Sequence, residues 1–186
     1  MPARKRNNIV ENAVSFAADK HKNIYRHDKV TLYISHLVGV ALILQRNGFG
    51  DQVVAGGLLH DTLEDTDTTP EEIEKVFGSE VRKMVEDVSH NDKLPWREKK
   101  LKYIEGVKNG SYEAKAIALA DKIHNMNNIL HDLERDAEKT WNSFGSSRQD
   151  KLWFEEEVLK MYRENWDHPM IEEYAELIQE LKAGYF

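Results

Sequence analysis

The chain of 186 residues contains no cysteine, so it has neither a disulfide framework nor thiolate chemistry, a composition compatible with a reducing cytoplasm. Proline and glycine are scarce, at four and ten residues, and aromatic residues make up 9%. Those counts suit an all-helical protein more than a turn-rich β-fold. Basic residues are too few to offset the acids, and the formal net charge is −7. That balance argues against a nucleic-acid backbone as partner but leaves open a small anionic ligand, provided that a metal and local cations offset the acidity. No apolar run approaches the length of a membrane span. The basic start, Met1 to Asn8, is not followed by the apolar segment of a signal peptide.

What is present is helical periodicity. Ile9, Val10, Ala13, Val14, Ala17 and Ala18 mark a first amphipathic helix over about 8–21. The polar stretch Asn23 to Thr31 reads as a loop, and an apolar buried helix follows over about 35–47. Asp51 is expected to cap the helix leading to His60. Thr69-Pro70-Glu71-Glu72 spells a capping box that opens a helix ending at Gly78, and Ser79 is expected to cap the next. A loop over 89–95 precedes a helix from Pro95 to Lys108, with Leu101, Ile104 and Val107 expected on its buried side. Ser111 opens a long helix through Ile129. After a loop over 142–149, helices over about 149–164 and 169–182 complete an all-α, single-domain helical bundle.

The stretch from Val53 to Thr66 stands out, because an apolar run ends in His60-Asp61 followed by Glu64-Asp65. If the helical turn persists, positions 60, 61, 64 and 65 lie within one arc of about 140°. Three acids so close repel one another, and a divalent cation relieves that repulsion. Two further anomalies sit in apolar helices: His36 among Leu, Val and Ile, and Asp121 after Ile117-Ala118-Leu119-Ala120. Alone, the first reads as a core histidine and the second as half of a buried ion pair. Together with His60 and Asp61 they make a four-ligand set of mixed nitrogen and oxygen donors, suited to manganese, iron or another first-row divalent ion.

His36, His60-Asp61 and Asp121 resemble the H…HD…D pattern of the HD superfamily of metal-dependent phosphohydrolases. The resemblance is nearest to the hydrolase domain of Rel/Spo-type alarmone enzymes and their stand-alone small hydrolases. Tyr33-Ile34-Ser35-His36 is similar to the family's Tyr-Ile-x-His-Pro motif, and Leu58 to Thr66 to its HDxxED signature. Leu119 to Met126 is similar to its Leu-Ala-Asp-Lys-Leu-His-Asn-Met motif, so the resemblance covers about 8–130. The departures are Leu37 for the family's proline, Ala118 for a lysine, and Arg26-His27 for an Arg-Lys pair.

The resemblance implies a single HD hydrolase domain that removes pyrophosphate from the 3′ position of an alarmone such as guanosine tetraphosphate. The metal, manganese for preference, would be held by His36, His60, Asp61 and Asp121 and would activate a bound water. Glu64 and Asp65 would orient or deprotonate that water. Arg26, His27, Lys122, Asn125 and Asn128 would meet the nucleotide, His27 as a ring that attracts phosphate when protonated and stacks on a base when neutral. With no room for a synthetase or regulatory domain, the chain reads as a stand-alone hydrolase. The alternatives are an HD phosphatase acting on another nucleotide, adenine analogue or dinucleotide, and a nucleotide-binding HD protein without turnover. Trp153 to Glu157 reads as packing on one side and a solvated face on the other. His21, His90, His124, His131 and His168 have no expected role.

Overall fold

The computed structural model describes residues 8–89 and 94–186. His90 and most of the expected 89–95 loop, like the basic start before Asn8, lie outside the described residues. Ten α-helices and an isolated bridge between Tyr25 and Leu32 make up the regular structure of the described residues, so the all-α expectation holds. No helix among them is long and apolar enough to cross a membrane. By contacts the chain divides into two compact units, residues 1–89 and 90–186.

The first unit is built around its most apolar helix. It comprises α1 (Ile9–Lys20), α2 (Ile34–Arg46), α3 (Asp51–Leu59), α4 (Thr62–Asp65), α5 (Pro70–Phe77) and α6 (Ser79–Val88). Every residue of α3 from Val53 to Leu59 is buried, which a helix with no polar face requires. It is enclosed by α1, α2 and α6. The approach to α2 is so close that a Cβ built at Gly57 would collide with Leu44 Cδ1. Gly57 thus permits the close approach of the helix bearing His36 to the helix that leads to His60.

Local chemistry sets the helix ends. Thr69 Oγ1 accepts from the Glu72 backbone N–H at 3.3 Å, while Glu72 Oε2 accepts from the Thr69 N–H at 3.0 Å. Pro70 fills the first turn, and Gly78 stops the helix at φ 88°, a left-handed conformation that favours glycine. Thr69→Ala is therefore expected to lower stability by about 1 kcal/mol and Thr69→Ser to be nearly silent, as read from urea midpoints. An alanine variant as stable as wild type would show that Phe77, packed edge-on against Phe16 at 5.4 Å, holds α5 without the cap.

Two expected caps shift by one residue. Gly50, extended at φ −70° and ψ 163°, is the N-cap of α3, and its carbonyl accepts from Val53 and Val54. Asp51 is instead the first helical residue, where its charge meets the positive end of the helix dipole. Ser79 likewise begins α6 behind Gly78.

The second unit holds α7 (Trp96–Asn109), α8 (Tyr112–Ser143), α9 (Arg148–Asn165) and α10 (Met170–Tyr185). Ser111 and Ser147 cap α8 and α9, each side chain accepting from a backbone N–H three residues on. The long α8 breaks at Asp136, φ −160° and ψ 87°, where Asp136 Oδ1 accepts from the Lys139 N–H at 3.0 Å and restarts the helix. In α7 the expected face is rotated. Val107 is buried and Ile104 half-buried, but Leu101 is 50% exposed. The packed stripe is Trp96, Lys100, Tyr103 and Val107, a helical i, i+4, i+7, i+11 series. It is set by Phe154 of α9, which meets the Trp96 and Tyr103 rings edge-on and the Lys100 ammonium at 4.5 Å.

Candidate metal centre

In the first unit the ends of two helices converge. His36 lies in the first turn of α2, and His60 directly follows α3, still in helical geometry at φ −57° and ψ −36°. Both imidazoles are buried, 1% and 6% exposed, and their rings stand 5.2 Å apart. Asp61 then opens α4, and its carbonyl accepts from the Glu64 and Asp65 N–H groups. The helical turn therefore does not run unbroken through His60-Asp61, although the one-turn offset to Glu64 and Asp65 survives.

The donor set suits a cation. His60 Nδ1 lies 2.8 Å from the Gly57 carbonyl, which can only accept, so that nitrogen carries the proton and Nε2 of the neutral ring presents a lone pair. His60 Nε2 stands 3.0 Å and His36 Nε2 3.5 Å from Asp61 Oδ2. Lone pairs and a carboxylate facing one another repel unless a proton or a metal ion shares them.

Around these ligand atoms, Tyr33 donates its hydroxyl proton to Asp61 Oδ2 at 2.7 Å. Glu64 and Asp65 are exposed on α4. Partial desolvation and then the neighbouring Asp61 charge push the Asp65 carboxyl up, against the Tyr33 hydrogen bond and the His21 and His60 rings. The loop before Tyr33 is ordered by Asp28, which accepts from Val30 and Thr31; the Thr31 hydroxyl bond first, then the two backbone bonds, holds its carboxyl at about 2. This turn carries Arg26, whose guanidinium lies 5.5 Å from the Tyr33 ring centre, and His27, which is exposed.

In the second unit, Asp121 is half-buried on α8, and Asn125 one turn later donates to its Oδ1 at 2.5 Å. Asn128 Nδ2 is 3.1 Å from His124 Nδ1. Lys122 points elsewhere in this unit, its ammonium 3.7 Å from Glu155 and 4.0 Å from the Phe154 ring centre. Burial pulls its amine down to about 8, Glu155 opposing, with Lys151 and Lys100 adding to the fall.

Glu155 is the surprise. The stretch read as half solvated places this carboxylate 1% exposed, against Lys122, Lys151 and the Tyr174 hydroxyl. Burial alone would raise its carboxyl, and the Lys122 and Lys151 charges with the Lys151 and Tyr174 hydrogen bonds instead bring it to about 2. The sequence signal was slight: Glu155 is the first acid of three, four residues after Lys151.

Residues 13–150 match the family model described as HD domain. The chain belongs to the HD-domain family. It is 41% identical over 138 residues to guanosine-3′,5′-bis(diphosphate) 3′-pyrophosphohydrolase MESH1 of Danio rerio, spanning 73% of this chain and 74% of that protein. With the Homo sapiens protein of the same name the identity is 44% over 133 residues, 70% of this chain and 72% of that one. A solved structure of a metazoan ortholog of SpoT, which hydrolyses ppGpp and plays a role in starvation responses, superposes with a TM-score of 0.78 at 25% identity. It covers 99% of this chain and 100% of that one. HD-domain membership and the buried imidazoles of His36 and His60 beside Asp61 together indicate a divalent metal ion.

Proposed function

We propose that the chain is a metal-dependent hydrolase that removes pyrophosphate from the 3′ position of guanosine-3′,5′-bis(diphosphate). The observation that carries this reading is 41% identity across 73% of the chain to an enzyme of that name. The buried His36 and His60 beside Asp61 support it independently, because that arrangement favours a cation. His36, His60, Asp61 and Asp121 hold the ion, manganese being well suited to two imidazoles and two carboxylates. When bound, the ion polarises a phosphoryl oxygen and lowers the pKa of a water.

The chain's own residues do the rest. Glu64 and Asp65, one turn beyond His60-Asp61, orient the attacking water and accept its proton as the phosphorus–O3′ bond breaks. The ribose 3′ oxygen is reprotonated, and pyrophosphate leaves. Arg26 and His27 meet the nucleotide's phosphates and base from the loop that Asp28 braces. Asn125 and Asn128 supply amide hydrogen bonds, whereas Lys122 is paired with Glu155 and is assigned no substrate contact. The HD match runs from 13 to 150, which supports the two units working as one catalytic domain.

The deciding experiment incubates guanosine-3′,5′-bis(diphosphate) with manganese-loaded protein and identifies the products. Pyrophosphate with guanosine 5′-diphosphate is the expected pair, and orthophosphate release would overturn the reading. Glu64→Gln and Asp65→Asn are expected to keep near-normal metal content and lose turnover by roughly 100-fold or more. An isosteric variant with full turnover would require another base. Arg26→Ala is expected to raise KM with metal content unchanged, since it removes substrate contact and no ligand. An unaltered KM would take the loop out of recognition.

A further inference from the structure

Tyr33 contacts His21, Arg26, His36 and Asp61, yet is neither a metal ligand nor one of the two acids. Its backbone is pinned on both sides, the N–H donating to Ile24 at 2.9 Å and the carbonyl accepting from His36 at 2.9 Å. The ring lies flat against His21, centres 5.5 Å apart and planes within 9°, and meets His36 edge-on at 5.5 Å. The Arg26 guanidinium faces the same ring at 5.5 Å. His21 is a rigid backstop: it is 1% exposed, and its Nδ1–H donates to the Ala17 carbonyl at 2.9 Å, which fixes the imidazole plane.

The phenol tip is therefore delivered to one place. There the hydroxyl donates to Asp61 Oδ2 at 2.7 Å. A carboxylate on two rotatable bonds has several orientations, and two neighbouring carboxylates repel. A hydroxyl fixed against Asp61 selects one of those orientations.

We propose that Tyr33, backed by His21, is a positioning residue: its hydroxyl orients Asp61 as a metal ligand, while its ring seats Arg26. This rests on the metal-dependent hydrolase reading. Groups that hydrogen-bond to metal ligands characteristically tune affinity without touching the ion.

The test pairs two substitutions. Tyr33→Phe keeps the ring and deletes the hydroxyl, so Mn(II) affinity measured by equilibrium dialysis without substrate is expected to weaken by roughly 10- to 100-fold. At saturating Mn(II), kcat of this variant falls while KM stays within about twofold, because Arg26 keeps its platform. Tyr33→Leu removes that platform as well, and KM rises in addition. This split separates positioning from general packing, which would move stability alone. A Tyr33→Phe protein with wild-type Mn(II) affinity and wild-type kcat overturns the assignment. Because affinity is read without nucleotide, that measurement decides the role of Tyr33 even if wild-type protein releases no pyrophosphate, an outcome that sinks only the substrate reading.

Discussion

Asp121→Ala protein is expected to leave purification in Mn(II)-containing buffer without bound metal and to show no turnover. Asp121 is half-buried in α8, next to the buried Ile117, Ala118, Leu119 and Ala120, where removing a carboxylate from water carries a cost. The amide of Asn125 is a neutral donor and offsets only part of that cost. A ligand that binds only the folded state stabilises it by about 2.7 kcal/mol at a hundred times its dissociation constant. For a chain of this size that corresponds to a rise in Tm of roughly 5–10 °C on adding metal. The rise should be present in wild type and absent in Asp121→Ala. Full metal content in the purified variant would remove Asp121 from the ligand set.

Glu155→Gln is the second large effect, and it strikes stability. The side chain is enclosed by Lys122 and Lys151, themselves only 11% and 16% exposed, and by the Tyr174 hydroxyl. An amide of the same shape leaves two largely buried ammonium groups without the carboxylate they both contact. Breaking a buried pair in this way costs about 3–5 kcal/mol, more than the pair contributes over a neutral core. The pH dependence follows from the two shifts. Glu155 is held near 2, below its usual 4.5, so its stabilisation is complete above about 4.5 and is lost as pH falls towards 2. The Glu155→Gln protein should lack that part of the acid limb. Lys122 is held near 8 instead of 10.5, so the folded state gives up its proton first and stability is gained as pH rises through that interval. In the variant, with the opposing carboxylate gone, that gain should begin at lower pH, and the deficit against wild type should shrink between pH 7 and 9. Urea midpoints across pH 3–10 measure both limbs. Equal midpoints for the two proteins at pH 7 would show that the cluster is solvated enough to dispense with its acid.

The sequence by itself determined the helices, because periodicity and capping are local. The Thr69–Glu72 box, the Gly78 stop, and the Ser111 start are backbone chemistry spread over a few residues, and all stand where the residues place them. It also determined the candidate ligands, since histidine and aspartate in apolar helices advertise themselves by the cost of burying them. Tertiary structure alone decided three other things. One was the rotation of α7, where packing on Phe154 turned Leu101 outward and Lys100 inward against the hydrophobic pattern. Another was the fate of Glu155, one acid among three in a row, which becomes a buried anchor only because Lys122 on α8 and Tyr174 on α10 reach it. The last was the place of Tyr33 and His21, twelve residues apart, whose rings meet only after the chain folds back between α1 and α2. Caps and periods are short-range and can be read along the chain, whereas which side chain meets which charge across helices depends on contacts that do not exist until the helices pack.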